Sequence, residues 1–457
     1  MRDSTTDRLM VWVFALSLAF LMFVVGALVA VAKVFPSSYI RDAYRGGTAL
    51  YEKLRQTSDP LKTDMWMPAR TTQRGVTVLD AARMQPGPTL YTSGHAAMAL
   101  LIDEEGHLLH KWYRPYSSVW DETAAVQHPV PDAQVYFRKA ELLPNGDLVA
   151  IYEGVGDTPY GYGLVRLDRD SHVVWKNLAH FHHDFSLGAD GRIYALSQDF
   201  RKDQPKGVDH FSIPYLDDAL VVLSPHGSTL KRLSLVDAIN RSQYRRLLWE
   251  VPYYSRGDPL HANGVDVLGA AEAAALAHKL PVARAGQVLV SLREMGGGTV
   301  LLLDPRTGTV VWATRGPWLG QHDADVLANG DLMVFDNHGN FGEGGRSRVV
   351  EVDPSSGAVV WAYAGDRTHP LESAIRSSQQ RLVNGNTLIT ESDGGRLLEV
   401  TTDGTVVWEY INPIRGGKAD ARIPVVCWGQ RIDPETLTPG FLALISHPSE
   451  IKEVAKP

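Results

Sequence analysis

The sequence predicts an all-β fold class, a six-bladed β-propeller preceded by a single N-terminal transmembrane helix. Three features support this prediction. An uncharged apolar run covers residues 9–32, and a strand pattern recurs six times from residue 99 onward. The copies follow one another at about 40–50 residues, which is the spacing of propeller blades rather than of helical repeats.

The apolar run is long enough to cross a bilayer. At about 1.5 Å per residue, a helix of this length extends roughly 36 Å, which exceeds the hydrocarbon thickness of a membrane. A cleaved signal peptide is the alternative, because Ala30 and Ala32 form a small-residue site, but its apolar region should span only about 7–15 residues. We therefore expect a short tail at residues 1–8 and an uncleaved helix at residues 9–32.

The charges that flank this helix do not fix its orientation. Arg8 precedes the apolar run and Lys33 follows it, so basic residues lie on both sides. Long domains after such a helix are often translocated regardless of flanking charge. We expect a stalk and linker at residues 33–90, and then a propeller on the periplasmic or extracellular side of the membrane.

Composition excludes several classes of protein. The chain has 457 residues and 44% hydrophobic content, as expected of a globular protein with a large core. A net charge of −7 and a pI of about 6.1 argue against a nucleic-acid partner, which would favour a basic domain. Cys427 is the single cysteine, so an intrachain disulfide scaffold is excluded.

The repeated unit is a strand, an Asn-Gly or Asp-Gly turn, a second strand, and a third strand that leads through another turn into a segment often ending in Val-Val-Trp. These dipeptides predict hairpins, because Asn, Asp and Gly tolerate the positive φ of tight turns. The six copies cover residues 99–112, 140–175, 182–233, 261–312, 321–361 and 380–408. We therefore assign residues 91–457 to the propeller, with helical insertions near 234–260 and 270–285.

A tryptophan closes four of the copies. These residues are Trp175, Trp312, Trp361 and Trp408. Because they follow the outermost predicted strand, we expect them to pack between adjacent blades, which is a structural role.

Residues at one phase of the repeat should form a ring around the channel, because the innermost strand of each blade lines the axis. Seven positions before the turn dipeptide lie Arg138, His183, His322 and Ser377, and His261 opens the corresponding strand of the fourth copy. Imidazoles exchange protons near neutral pH or act as nucleophiles, and a guanidinium matches sulfate, phosphate or carboxylate. The ring predicts a site for an anionic ester, with Asp184 and Asp323 as carboxylates that could orient the rings.

Two other interpretations of this ring stay open. A water-filled channel needs polar side chains in any case, so the histidines could simply hold water. Alternatively, His182, His183, His261 and His322 could bind zinc, iron or copper, although no metal-binding spacing such as H-E-x-x-H supports this. We assign neither a metal nor a cofactor.

The order of the segments resembles the arylsulfotransferase family, including its arylsulfotransferase-like branch. The resemblance rests on "LIDEEGHLLHKW", "HHDFSLGADGRIYAL", "HANGVDV", "QHDADVLANGDLMVFDN" and "RLVNGNTLITESDGGRLLEV", and it covers about residues 88–430. It implies a six-bladed propeller that moves a sulfuryl group from a phenolic sulfate ester to another phenol. The implied route is ping-pong, through a sulfated histidine and without the nucleotide sulfate donor.

The resemblance also implies site residues. His261 matches the family's "H-x-N" segment, which ends in Asn263, and His322 matches its "QHDA"-like segment; both would bind and polarise the sulfate. The family's arginine after the "FDN" strand has no counterpart directly after Asn337, where His338 stands, and Arg346 is the nearest candidate. The sixth blade reads "ITESDGGRLLEV" and lacks the histidine that becomes sulfated in the family.

The missing histidine leaves two hypotheses. Either His183, His322 or His338 acts as the nucleophile, or the protein is a non-catalytic propeller that serves as a binding or assembly subunit of a membrane complex. For the enzyme, the predicted catalytic residues are His322, His261, His183 and Arg346, with His322 as first choice for an essential residue. The predicted substrate-binding residues are Arg138, Asn263, Asp323, Asn337 and His338. Expected partners are a small anionic aromatic ester, the membrane through residues 9–32, and an integral membrane protein.

Overall fold

The computed structural model describes residues 4–32, 34–35, 37 and 59–446. The chain divides into two compact units, Met1–Asp59 and Pro60–Pro457. In the first unit, helix α1 covers Ser4–Ala32, and its part from Arg8 to Val29 is long and apolar enough to cross a membrane by length and composition. The predicted apolar helix at 9–32 therefore lies within α1, although a signal sequence would meet the same test.

The second unit is built almost entirely of strands. They are β1 (Trp66–Pro68), β2 (Gly75–Leu79), β3 (Thr89–Ser93), β4 (Met98–Ile102), β5 (Leu108–Tyr113), β6 (Val135–Leu142), β7 (Leu148–Gly154), β8 (Gly161–Leu167), β9 (Val173–Asn177), β10 (Phe181–Leu187), β11 (Ile193–Arg201), β12 (Tyr215–Leu223), β13 (Thr229–Ser234), β14 (Ala262–Val267), β15 (Val288–Leu292), β16 (Thr299–Asp304), β17 (Thr309–Arg315), β18 (His322–Val326), β19 (Leu332–Asp336), β20 (Arg348–Val352), β21 (Val359–Tyr363), β22 (Ser378–Arg381), β23 (Thr387–Glu391), β24 (Arg396–Val400), β25 (Val406–Ile411), β26 (Arg422–Pro424) and β27 (Val426–Arg431).

Within residues 59–446 these strands form six antiparallel sheets of four or five strands, which are the blades of the predicted propeller. Blades 2 to 5 are consecutive meanders of four strands, β6–β9, β10–β13, β14–β17 and β18–β21. Blade 6 contains β22–β25, and β2 extends it as a fifth, outermost strand. The sixfold repeat in the sequence is confirmed as the unit of the fold.

The ring is closed by two distant parts of the chain. Blade 1 takes β3–β5 from the beginning of the unit and β27 from near its end, with Arg431 paired to Thr89. A further two-stranded sheet pairs β1 with β26. Because the innermost strand of blade 1 comes from the C-terminal side, blade 1 cannot form until nearly the whole chain is present.

Residues 60–90 correct the predicted linker. The strand β2 lies on the edge of blade 6, and Arg70 donates a hydrogen bond to the Glu391 carboxylate at 2.6 Å. The compact unit therefore begins at Pro60 rather than at residue 91. The remainder of the predicted stalk, residues 38–58, lies outside the described residues.

Within residues 59–446, three α-helices lie outside the sheets. Two of them, α2 (Leu235–Asn240) and α3 (Ala270–Ala277), fall in the two predicted insertions, while α4 (Pro439–Ser446) follows blade closure. The first insertion continues through short 3-10 helices at Arg245–Glu250 and Tyr253–Ser255. Ser234 caps α2 by accepting the Asp237 N–H at 3.1 Å, as its position before an apolar run favours.

The hydrophobic core lies between the blades. Large side chains from adjacent sheets form clusters that follow one another around the ring, and Trp112, Tyr116, Phe137 and Tyr152 are almost fully buried in the cluster between blades 1 and 2. Burial of this apolar area drives the blades together. The interior near the axis is polar by contrast, and it carries the site described next.

Candidate functional site

A cavity of about 240 Å³ opens where the innermost strands begin, at one end of the channel. Side chains from blades 2 to 6 and from the segment before β1 line it. The ring predicted from the phase of the repeat is thus brought together, because Arg138, His183, His261 and His322 all line this cavity.

Backbone irregularities aim these side chains inward. His183 and His261 adopt left-handed φ values of 54° and 48°, and the pairing of β10, β14 and β18 with the next strand slips at the same point of each blade. Such bulges turn a side chain away from the regular alternation of a strand. The repeat therefore sets both the position and the direction of the site residues.

His322 is fully enclosed, and both of its ring nitrogens have partners. Its Nδ1 lies 2.7 Å from Asn337 Oδ1, and its Nε2 accepts the Arg376 backbone N–H at 3.2 Å. The Asn337 amide nitrogen donates to the carbonyls of Ser373 and Arg376, so the amide oxygen must face the ring. These contacts select the neutral tautomer with the proton on Nδ1.

Burial, followed by the charges of Arg293 and Arg138, lowers the pKa of His322 well below its usual value. The ring is therefore neutral at neutral pH, and its Nε2 lone pair is already used. In this structure the Nε2 of His322 accepts the Arg376 backbone N–H and offers no free lone pair to the cavity.

His261 has a different arrangement. Its Nδ1 lies 2.5 Å from Asp258 Oδ2, within one turn of the same segment, and the side chain is 16% exposed. Burial acts to raise the pKa of Asp258, but the His261 ring outweighs it and the pKa is lowered overall. Since the carboxylate holds Nδ1, the nitrogen left for the cavity is Nε2, which is the arrangement of a histidine oriented for nucleophilic or base catalysis.

His183 stands beside His261, with their ring centroids 5.1 Å apart. Its Nδ1 lies 2.9 Å from His182 Nδ1 and 3.4 Å from the Tyr160 hydroxyl, while its backbone N–H donates to Glu153 at 2.7 Å. Burial, and then the charge of His261, lowers the pKa of His183 well below its usual value. His183 is consequently neutral, with Nε2 toward the cavity.

Three arginines line the same cavity in the described part of the chain. Arg138 donates to the Cys427 carbonyl at 2.8 Å, Arg293 to Glu294 at 3.2 Å, and Arg376 to Asp64 at 2.6 Å. The Arg376 Nη1 makes no hydrogen bond within residues 59–446 and is enclosed by protein rather than open to the cavity.

The carboxylates on the lining are already committed to other groups. Glu153 accepts the Tyr136 hydroxyl at 2.6 Å, Asp157 accepts the Tyr162 hydroxyl, and Asp64 is paired with Arg376. These contacts leave the arginines as the groups best placed to meet an anionic oxygen.

Several predicted site residues lie elsewhere. Asn263 is buried and donates to the Gln321 carbonyl at 2.8 Å, and Asn337 acts through His322. His338 is half-buried and Arg346 is exposed, both in the loop after β19 and outside the lining. Arg293 and Arg376, rather than Arg346, lie on the cavity lining.

Asp323 and Asp184 do not orient the histidine rings. Asp323 accepts the Gln379 backbone N–H at 3.0 Å, and Asp184 accepts from Lys139 Nζ at 2.7 Å. Both belong to a deeper polar layer of the channel, where burial and the neighbouring Asp184 raise the pKa of Asp323 to about 7. The rings of His261 and His322 are oriented by Asp258 and Asn337 instead.

The sequence contained signals for some of the residues that were missed. Arg376 directly precedes Ser377, which the phase count selected, and both residues have left-handed φ values just before β22. Arg293 and Tyr160 stand in the turns between the second and third strands of blades 4 and 2, and those turns open on the cavity face. Asp258 lies three residues before His261, in an insertion that hid its phase.

The alternative of an axial metal receives no geometric support within residues 59–446. Groups of three ligand atoms within 4.8 Å of one another occur there in two turns, at Asp103, Glu105 and His107 and at Asp168, Asp170 and His172. The axial histidines make no such group among these residues. Their geometry is that of hydrogen-bonded, separately oriented rings.

Comparison with solved structures finds matches of low sequence identity. A protein of unknown function from Bacteroides caccae is 12% identical, with a TM-score of 0.45, and the match covers 75% of this chain and 99% of that one. A catalytically inactive virginiamycin B lyase from Staphylococcus aureus, solved with quinupristin, is 9% identical, with a TM-score of 0.34 and coverage of 60% and 69%. No curated protein matches.

The sequence itself matches a family model. That model, described as arylsulfotransferase (ASST), covers residues 139–413, which run from the innermost strand of blade 2 to the end of blade 6. The match spans more than half of the chain and includes most of the cavity lining. The chain belongs to the arylsulfotransferase family.

Proposed function

We propose that this protein is an arylsulfotransferase-like enzyme that moves a sulfuryl group between a phenolic sulfate ester and a phenol. One observation carries the proposal. His261 has one ring nitrogen held by Asp258 and the other toward a cavity that three arginines also line. Family membership supports the reaction class, and the geometry supports the assignment of roles.

In the proposed first step, His261 Nε2 attacks the sulfur of the donor ester. The N–S bond forms while the S–O bond to the aryl group breaks, and Asp258 balances the positive charge that develops on the imidazole. This assignment differs from the sequence prediction, which favoured His322, because both nitrogens of His322 are engaged.

Arg138, Arg293 and Arg376 are proposed to bind the non-bridging sulfate oxygens. Guanidinium groups offer planar pairs of donors, and donors fixed around a partly enclosed cavity stabilise charge without reorganisation during the reaction. The presence of all three arginines on the lining of one cavity supports this role.

The departing phenolate is proposed to take a proton from His183. The acceptor phenol then returns a proton to His183 as its oxygen attacks the sulfur of sulfated His261. This completes a ping-pong cycle in which one imidazole carries the sulfuryl group and the other carries the proton.

We further propose that α1 anchors the enzyme in a membrane, with the propeller on the periplasmic or extracellular side. Its apolar length supports the anchor. No cofactor is assigned to the proposed reaction, since imidazole, carboxylate and guanidinium groups supply the required chemistry.

One observation favours a second candidate function. Blade 6 reads "ITESDGGRLLEV" where the family resemblance implies the histidine that becomes sulfated, and this segment has no histidine. A propeller that binds an anionic ester without transferring it, as a subunit of a membrane complex, would keep the arginines and need no nucleophile.

The test compares three forms of the full-length chain in detergent, which are wild type, His261→Ala and His369→Ala. The control residue His369 lies in an exposed loop. We expect wild type and control to transfer the sulfuryl group from p-nitrophenyl sulfate to phenol, and His261→Ala to lose at least about 10³-fold in kcat, as removal of a nucleophile does. Equal activity of all three would refute the assignment, and binding of the ester without turnover by wild type would favour the second function.

A further inference from the structure

We propose that Asp218 and His182 form a buried proton relay behind His183, and that this relay enables His183 to protonate the departing phenol and deprotonate the incoming one. The inference rests on the proposed function and assigns two positioning residues to it. Neither residue lines the cavity.

The three side chains form a line from the core to the cavity. Asp218 Oδ1 lies 3.4 Å from His182 Nε2, and His182 Nδ1 lies 2.9 Å from His183 Nδ1. Both side chains behind His183 are completely buried. Because His183 uses Nδ1 for this contact, its Nε2 is the end of the line that meets the cavity.

The charges of the buried pair favour a protonated His182. Asp218 Oδ1 and His182 Nε2 are both buried, make no hydrogen bond within residues 59–446, and face each other across 3.4 Å. A buried carboxylate is costly unless an opposite charge lies beside it, so the pair is favoured as a carboxylate and an imidazolium with its Nε2 proton facing Asp218. Two facing Nδ1 atoms likewise require that one carries hydrogen and the other offers a lone pair.

The rest of the network holds the line in place. The other Asp218 oxygen accepts the Ala262 backbone N–H at 2.8 Å, next to His261. Glu153 accepts the His183 backbone N–H, and Gln198 donates to the Tyr160 hydroxyl at 3.3 Å. These bonds tie the relay to the same backbone that positions the proposed nucleophile.

Proton transfer along the line balances. Before the step, Nε2 of His183 and Nδ1 of His182 each carry a proton, and a third proton lies between His182 and Asp218. When the phenolate takes the Nε2 proton, the Nδ1 proton of His182 moves to His183, and the third proton stays on His182 Nε2. The incoming phenol reverses every transfer, so the relay ends as it began.

A relay is needed because His183 is a poor independent acid. Burial and the positive neighbours of this ring lower its pKa well below the usual value, so an isolated imidazolium would not persist. The relay replaces the lost proton at Nδ1 during the step, so His183 need not become charged.

The test uses two donors that differ in their need for an acid. p-Nitrophenolate departs without a proton, whereas unsubstituted phenolate, with a pKa near that of tyrosine at about 10, needs one. For a ping-pong enzyme, kcat/KM for the donor reports only the first half-reaction. We would measure it with the full-length chain in detergent for wild type, Asp218→Asn, His182→Gln and the control Asp217→Asn.

The control lies beside Asp218 on β12 but accepts from Ser234 at 2.8 Å, away from the relay. We expect Asp218→Asn and His182→Gln to lower kcat/KM for phenyl sulfate by about 10²-fold or more and to change p-nitrophenyl sulfate by less than about threefold. The control should change both donors equally and little. Equal losses with both donors, or no loss with either, would overturn the relay.

Failure of the relay and failure of the proposed function are distinguishable. If wild type turns over neither donor, the proposed function fails. A slowly exchanging His182 Nε2 proton in the NMR spectrum of wild type, lost in Asp218→Asn but present in Asp217→Asn, would still be expected from an imidazolium paired with Asp218. Its absence from wild type would overturn the relay independently of activity.

Discussion

At the residue scale, the three cavity histidines differ in chemistry because their partners differ. Asn337 and a backbone N–H occupy both nitrogens of His322, Asp258 holds one nitrogen of His261, and His182 faces one nitrogen of His183. Within one cavity, one histidine therefore has both ring nitrogens engaged, a second is a candidate nucleophile, and a third is a candidate proton carrier. Partner identity, rather than residue type, separates these roles.

His95 provides a residue-scale prediction about pH. It lies in the turn between β3 and β4, and burial lowers its pKa to about 4 from 6.5. Between these values the unfolded chain binds a proton that the folded chain does not, so stability is present above pH 6.5 and is lost as pH falls toward 4. From pH 7 to pH 5 this group alone should cost about 2 kcal/mol of unfolding free energy.

The matched variant is His95→Gln, which can keep the contact with Ser93 Oγ that His95 Nδ1 makes at 3.0 Å. Guanidinium unfolding at pH 7 and pH 5 would measure the difference. The variant should lose about 2 kcal/mol less than wild type on acidification. An identical loss of unfolding free energy in both proteins would show that His95 does not cause this pH dependence.

The sequence predicted only those site residues that lie on the repeated innermost strands. Counting from the turn found Arg138, His183 and His322, because innermost strands share one phase. It could not find Asp258 or Arg293, which stand in an insertion and a turn whose positions no strand pattern fixes. It also could not show that His322 is enclosed, since that depends on Asn337 from the neighbouring strand.

At the element scale, tryptophans link neighbouring blades through directed hydrogen bonds. The indole N–H groups of Trp175, Trp361 and Trp408 donate to Pro225, Thr402 and Glu104, respectively, each in the turn between the third and fourth strands of the following blade. These three hydrogen bonds add to the predicted packing of the tryptophans between blades. They link three of the six pairs of neighbouring blades.

These indole hydrogen bonds lead to a prediction that depends on how deeply each tryptophan is buried. Trp408 is fully buried, and its hydrogen bond to Glu104 is part-buried. The equivalent hydrogen bond of Trp175 is exposed. Trp408→Phe should lower the unfolding free energy by about 2–4 kcal/mol, because it leaves the Glu104 carbonyl unpaired and creates a void. Trp175→Phe should cost about 1 kcal/mol or less, because water can replace its bond.

Denaturant unfolding of both variants beside wild type would check this difference. If the exposed and the buried substitution lowered the unfolding free energy equally, the indole hydrogen bonds would not be what distinguishes the interfaces.

Element boundaries are harder to predict from the sequence than the repeat itself. The strand β2 was assigned to a linker, because a single short strand before the first repeat carries no periodic signal.

At the scale of the whole molecule, ring closure explains what the repeat could not reveal. Blade 1 combines β27 with β3, more than 300 residues apart in sequence. The side chain of Arg431, at the end of β27, reaches blade 6, where its guanidinium lies 3.2 Å from the Glu399 carboxylate. Sixfold repetition predicted the number of blades, but no local pattern shows which distant strand completes the first one. Cooperative closure of this kind also brings residues from five blades to one cavity.

The central claim is that His261 carries the sulfuryl group. The most direct measurement is mass spectrometry of peptides from the full-length protein after it is mixed with p-nitrophenyl sulfate in the absence of any phenol acceptor. We predict one sulfated residue, His261, which loses the group when phenol is added. Sulfation of His183 or His322 instead, or an unmodified protein that nevertheless transfers the group to phenol, would contradict this claim.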